Sequence, residues 1–333
     1  MNERTQTERI IRTRMHGLYL SRTCEDLDTL AHELLGLHSW FYRNVPFSAL
    51  IRGADIMGWK QRLTKTWLYR GTLHGVGFED LPELLALHPD DSYLGSYYGD
   101  STVATIAEEA LRYMEDGVYS RAEFRRIFAD TYPPEVVSAM FSPWGGIFVH
   151  LARRGKVAFR DMVSRDFDLI DAEPTQTADE VLPGLLRRYL SAYGPATLAD
   201  AALFFGLWKD DAKKLQALPL DAYECFTCNG KTYYACGETD MADIPELTLL
   251  SGFDPYIVSY ADRIAVLPGE YKSRVILKSG ICNPTIAIDG RVAGIWNIKN
   301  NKPVVAFFGE QPQRIITAAT DMVEAIRWRG ALT

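Results

Sequence analysis

Apolar positions along the chain follow two periods. Leu27, Leu30, Ala31, Leu34 and Leu35 recur at helical spacing and predict a helix over 25–37, with Glu25 and Asp26 in its first turn, where the helix dipole favours acid. The same spacing predicts helices around Glu8 to Leu20, over 46–52 and 55–63, from Ile106 to Met114, from Leu185 to Ala192 and over about 312–328. Alternation takes over at 66–76, predicted as one strand. Trp67, Tyr69, Gly71 and Leu73 fall on one side, and Leu68, Arg70, Thr72 and His74 on the other. A short helix starts near Gly77 to Pro82, and 88–100 reads as a connection rich in Pro, Gly and Tyr. The C-terminal part is a run of short strands at 274–277, 285–288, 292–298 and 304–308, with Asp289-Gly290 as a hairpin turn.

Two stretches repeat one plan. Ile106 to Met114 runs into Gly117-Val118-Tyr119-Ser120-Arg121-Ala122-Glu123, and Leu185 to Ala192 runs into Gly194-Pro195-Ala196-Thr197-Leu198-Ala199-Asp200. In each, a hydroxyl caps the next helix and the acid three residues on answers it. Each copy later reaches a glycine turn and a strand, at Gly155-Lys156-Val157 and at Asn229-Gly230-Lys231. Helix, turn, helix, hairpin is the winged-helix order, and 25–76 fits as a first unit. The expected fold class is therefore α+β: three tandem winged-helix units followed by a small β-barrel-like domain. The expected boundaries are 1–100, 101–176, 177–245 and 246–333.

Composition narrows the class. Apolar content of 47% and charged content of 24% suit a soluble globular protein. No apolar run approaches the roughly 18 residues of a spanning helix, and MNERTQTERI is no signal peptide, so a cytoplasmic protein without a membrane partner is expected. A net charge of −7 argues against a protein that wraps DNA by bulk electrostatics. It leaves room for a local basic channel built from Arg52, Arg70, Arg153, Arg154 and Lys156. Five cysteines without an export signal point to free thiols. Cys225 and Cys228 have metal-knuckle spacing, but Asn229-Gly230 directly after them places both on one hairpin strand, facing opposite ways. No metal and no cofactor are expected. No Gly-rich phosphate loop, His-Glu-x-x-His helix or Gly-x-Ser-x-Gly elbow occurs.

The chemistry concentrates in 34–76. A strand side carrying Arg70, Thr72 and His74 is poorly made for a dry core and well made for a phosphate backbone. Gly36-Leu37-His38-Ser39-Trp40, Arg52, Arg70-Gly71-Thr72-Leu73-His74, Phe253-Asp254-Pro255-Tyr256 and Asp289-Gly290-Arg291-Val292-x-Gly294-x-Trp296 together resemble the winged-helix DNA glycosylases of the AlkZ and YcaQ type. That family carries Gly-apolar-Gln-x-Gln where this chain has His38 and Trp40 in place of the two glutamines. The resemblance covers nearly the whole chain and is strongest at 67–74, 187–198, 249–256 and 284–296.

The resemblance implies a monofunctional DNA glycosylase that excises bulky N7-alkylated purines or unhooks crosslinks by water attack on the glycosidic bond. It implies tandem winged helices curved round alkylated double-stranded DNA, a monomer, and nucleoid association when bound. His38 is then the candidate catalytic residue, because a neutral imidazole accepts a proton from water. Trp40 and Ser39 are candidate lesion contacts, since an indole can stack but cannot serve as acid or base. Arg52, Arg70, Thr72 and His74, with Arg153, Arg154 and Lys156 as a second wing tip, are candidate DNA contacts. The alternative is a scaffold that has lost its chemistry and binds DNA, or regulates, without excision. Asp254, before a proline, is expected to cap a turn.

Overall fold

The computed structural model describes residues 3–88, 93–237 and 243–331. Of the expected 88–100 connection, residues 89–92 lie outside the described residues, and Tyr93–Tyr98 is a short helix. Eleven strands are described: β1 Leu37–His38, β2 Thr64–Trp67, β3 Leu73–Val76, β4 Val157–Phe159, β5 Phe167–Leu169, β6 Glu224–Cys228, β7 Lys231–Ala235, β8 Leu247–Leu250, β9 Thr285–Ile288, β10 Arg291–Lys299 and β11 Lys302–Phe307. The architecture mixes α and β. It divides into two compact units, Met1–Trp59 with Pro183–Thr333, and Lys60–Leu182. Of the expected boundaries, only 176/177 falls near a division between these units.

In the first unit, the sheet order is β11-β10-β9-β8, antiparallel throughout. One face packs on the helix Gln313–Ala331 and on the helix Asn44–Ile51. Leu249, Ile286 and Trp296 meet Ala319, Val323 and Ile326, with Phe47, Leu50 and Ile51 at the edge. The sheet is open, and no closed barrel is found among the described residues. The reason is local: 274–277 does not extend the sheet. Lys272–Val275 turns as a short helix, and Ile276 makes only an isolated bridge to Cys282.

Both expected hairpin turns form. Asn229 and Gly230 take φ of 50° and 70°, and Asp289 and Gly290 take 47° and 74°, the left-handed pair that a two-residue turn between right-twisted strands requires. Cys225 is exposed and Cys228 buried on the same strand.

In the second unit, four strands run in the order β3-β2-β4-β5. The predicted single strand 66–76 is instead a hairpin. Arg70 and Gly71 are both left-handed, at φ 54° and 67°, so the chain reverses at 68–72 and Trp67 pairs with Leu73. The core beneath is aromatic: Trp67, Phe124, Phe128, Phe141, Phe148, Phe159 and Phe167 are buried together. Both capping boxes are present. Ser120 and Glu123 exchange hydrogen bonds at the start of the helix Arg121–Phe128. Thr197 and Asp200 do so at the start of the helix Leu198–Phe205.

Candidate active site

The helix Leu27–Glu33 ends in a tight reversal, with Leu35 at φ 53° and Gly36 at 104°. Tyr193 anchors that reversal by donating its hydroxyl to the Leu34 carbonyl at 2.6 Å. The chain leaves it extended, so successive side chains alternate. Leu37 and Ser39 point inward and are buried, while His38 and Trp40 point outward. Ser39, expected as a lesion contact, is fully buried and cannot serve as one. Its place in the alternation, between two outward residues, is the reason.

His38 is half-buried, and its ring lies flat on Phe253, with centroids 4.3 Å apart and planes 3° from parallel. The Trp40 amide donates to His38 Nδ1 at 3.5 Å, a long and weak bond. Trp40, Phe41 and Tyr42 are exposed at 38%, 46% and 45%. Three consecutive exposed aromatics beside a stacked imidazole are unusual on a soluble surface, where large apolar side chains are normally scattered.

The support under this surface is a buried ion pair. Arg52 and Asp254 have no exposed surface and join through Nη2 to Oδ1 at 2.9 Å and Nη1 to Oδ2 at 3.1 Å. Arg52 also donates to the Leu18 carbonyl, the Ser48 carbonyl and Ser48 Oγ. Asp254 accepts from Ser251 N, Ser251 Oγ and Tyr256 N, and so caps its turn as expected. Arg52 therefore offers no exposed surface to a DNA backbone. Its fork is occupied inside the protein, tying the end of the helix Asn44–Ile51 to the residue after Phe253.

The remaining candidates lie in the other unit. Trp67 and Leu73 pair below the hairpin tip, which leaves Arg70 and Thr72 partly exposed at it. Thr72 Oγ1 closes the tip on the Tyr69 carbonyl. His74 is buried, edge-on to Tyr69, and burial pushes its pKa down to about 3. It is a neutral interior group rather than a phosphate contact, because the reversal turns it under the sheet. Arg153 is likewise buried, close to Gly71. Arg154 is half-buried against His150. Lys156 is partly exposed and pairs with Glu173. Of the seven expected DNA contacts, Arg70, Thr72, Arg154 and Lys156 keep surface.

Two residues of the site were not legible as functional. Phe253 sits at φ 55°, uncommon for an aromatic residue, and its partner comes from a segment more than two hundred residues away. Asn44 brings an amide against Gly252: a Cβ there would lie 2.9 Å from Asn44 Oδ1. Asn44 Nδ2 is buried with no hydrogen-bond partner among the described residues. Burying an unpaired amide costs stability, so a group kept in that state calls for a reason. The one signal in the sequence was the Gly252-Phe253-Asp254-Pro255 run, which reads as a turn and says nothing of what stacks on it. No group of three or more His, Cys, Asp or Glu suited to a metal occurs among the described residues.

A family model described as DNA glycosylase AlkZ-like matches residues 59–325. The match begins after the His38–Trp40 segment. An interstrand DNA cross-link repair glycosylase of Streptomyces sahachiroi is 27% identical over 274 residues, covering 74% of this chain and 73% of that protein. The solved structure of the Streptomyces sahachiroi DNA glycosylase AlkZ superposes with a TM-score of 0.80 at 24% identity, over 97% of this chain and 96% of that one. At that identity the likeness is one of fold.

Proposed function

The chain belongs to the AlkZ-like DNA glycosylase family, and from that premise we propose that it excises bulky N7-alkylated purines and unhooks crosslinks with His38 as the group that handles water. Alkylation at N7 makes the base cationic. The bond from sugar to base then breaks toward an oxocarbenium-like sugar, its electron pair leaving with the base and neutralising it. Water adds to the sugar carbon, and its proton passes to His38 Nδ1, displacing the weak Trp40 amide contact. Phe253 fixes the plane of the ring from below. Trp40, exposed beside it, packs on the lesion or the sugar. Arg70 and Thr72 at the tip of the β2–β3 hairpin, and Arg154 and Lys156 just ahead of β4, meet phosphates. The protein acts as a monomer on double-stranded DNA.

We read the chain as tandem winged helices, and one detail supports the repeat. In one copy Tyr119, just before the Ser120 cap, accepts from Phe167 of the β5 strand at 3.2 Å. In the other Ala196, just before the Thr197 cap, bridges Tyr234 of the β7 strand. The hairpin strand docks at the same point of the plan in each.

The observation that carries the catalytic reading is the half-exposed imidazole held flat on Phe253 within an exposed aromatic run. The test is release of 7-alkylguanine from alkylated duplex by the purified protein and by His38→Ala. We expect release by the parent and a loss of at least about a hundred-fold in the variant, the low end of general acid–base effects. Equal release by both would remove His38 from the mechanism. Binding without release by the parent would favour the inactive scaffold.

A further inference from the structure

We propose a second DNA contact in the first unit: a cleft that holds a backbone phosphate, apart from the His38 surface and distinct from the wing tips. It rests on the glycosylase reading above. The cleft has a volume of about 290 Å³, and Arg22, His32, Glu33, Arg187 and Arg188 line it with Ser191. Its floor is a close approach of two helices. A Cβ on Gly17, at the end of the helix Glu3–Gly17, would lie 2.4 Å from the Ala192 carbonyl oxygen in the helix Ala178–Tyr193. Only glycine lets the backbones meet there.

Three guanidinium groups face one carboxylate in a protein with 36 basic and 43 acidic side chains. Local excess of positive charge on an acidic chain marks an anion site. Two of the arginines are held in place. Arg22 donates from Nε to the His16 carbonyl at 3.0 Å and lies 4.0 Å over the Tyr19 ring. Arg188 donates from Nη2 to the His32 carbonyl at 2.8 Å. Arg188 Nη2 also lies 3.2 Å from His32 Nδ1, and a guanidinium oriented in this way suits a phosphate. Glu33, the opposing carboxylate, accepts from the Tyr19 hydroxyl. Burial pushes Tyr19 up to about 12, so the phenol keeps the proton it donates.

A phosphodiester is favoured over a free anion by continuity with the catalytic segment. His32 and Glu33 close the helix that leads directly to His38. Arg188 and Tyr193, on one helix, tether the carbonyls of His32 and Leu34. Six residues span at most about 20 Å, roughly six rises of a duplex strand, so one strand can reach both places.

The experiment is a titration of undamaged and alkylated duplex at several salt concentrations, using the full chain and Arg22→Gln/Arg187→Gln. Both substituted side chains are exposed, and Arg187→Gln alone is the fallback if the double variant melts early. Arg188 is kept because it holds His32. Each lost contact lowers the slope of log K against log salt by about 0.9, so a drop of about one to two is expected. An unchanged slope with normal base release overturns this contact and leaves the glycosylase reading standing. An equal drop in Arg314→Gln, outside the cleft, reduces the effect to bulk charge and also overturns it. Calorimetry with inorganic phosphate separates the sources: phosphate binding lost in the variant with an unchanged DNA slope assigns the cleft to a free anion, against the proposal. A parent that neither binds duplex nor releases base removes both readings.

Discussion

Arg52 and His74 are polar residues that alternation and resemblance place toward DNA and the fold places inside. Arg52 makes five donor contacts to the Leu18 and Ser48 carbonyls, Ser48 Oγ and Asp254. Breaking such a buried pair strands the other charge and costs about 3–5 kcal/mol. Arg52→Ala is expected to lose that much in urea unfolding; a loss under about 1 kcal/mol with weakened DNA binding would restore the backbone role. His74 makes a pH prediction. Its folded pKa lies near 3 and its ordinary value is 6.5. The unfolded chain therefore takes up a proton that the folded one refuses. Stability from this group is full above pH 6.5 and falls toward pH 3 by roughly 1.4 kcal/mol per unit. His74→Phe should flatten the acid limb of a melting-temperature profile; an identical limb in both proteins would place the titration elsewhere. At the site, Asn44→Ala is expected to slow base release at least about ten-fold with an unchanged melting temperature, if its unpaired amide orients water. A fall in stability with unchanged release would make Asn44 a packing residue.

The elements that follow local rules are the ones the sequence foretells. Both capping boxes form from Ser120 with Glu123 and Thr197 with Asp200 because each needs only neighbours three residues apart. Thr197→Ala should cost about 1 kcal/mol by the same denaturation measurement. The Asn-Gly and Asp-Gly hairpins form for the same local reason. The hairpin at β6 and β7 also carries a readout. Cys225 and Cys236 are exposed, while Cys24, Cys228 and Cys282 are buried, Cys282 pushed up to about 12 by desolvation. Two thiols of the native protein should react promptly with an alkylating reagent, read by mass, and prompt modification of Cys282 would contradict the packing. The strand over 66–76 went the other way. Its alternation was genuine, but Arg70 and Gly71 take left-handed dihedrals that period counting does not register.

On the scale of the whole molecule, one compact unit is built from both ends of the chain, Met1–Trp59 with Pro183–Thr333. Segments are read in order, whereas a core gathers what is apolar from anywhere. The aromatic surface and the ion pair beneath it both depend on this closure, since His38 and Arg52 come from one end and Phe253 and Asp254 from the other. The chemistry belongs to this scale too. A cationic base leaves without Lewis-acid help, and the proposed mechanism forms no covalent link to an amine. Chelator is expected to leave release unchanged, and the product strand should stay intact until alkali cleaves it at the abasic site, as seen on denaturing gels. Strand scission by the protein alone would mean a different reaction.

Pattern and composition alone determined the helices, the caps, the turn residues and the family likeness, because each rests on residues close in sequence or on motifs read in line. Which polar side chains face water was decided only in three dimensions. The alternation of Leu37 to Trp40 leaves Ser39 inside, the reversal at Gly71 takes His74 inside, and Asp254 draws Arg52 inside. Burial is a property of what packs on a residue, and its partners here arrive from distant stretches of chain.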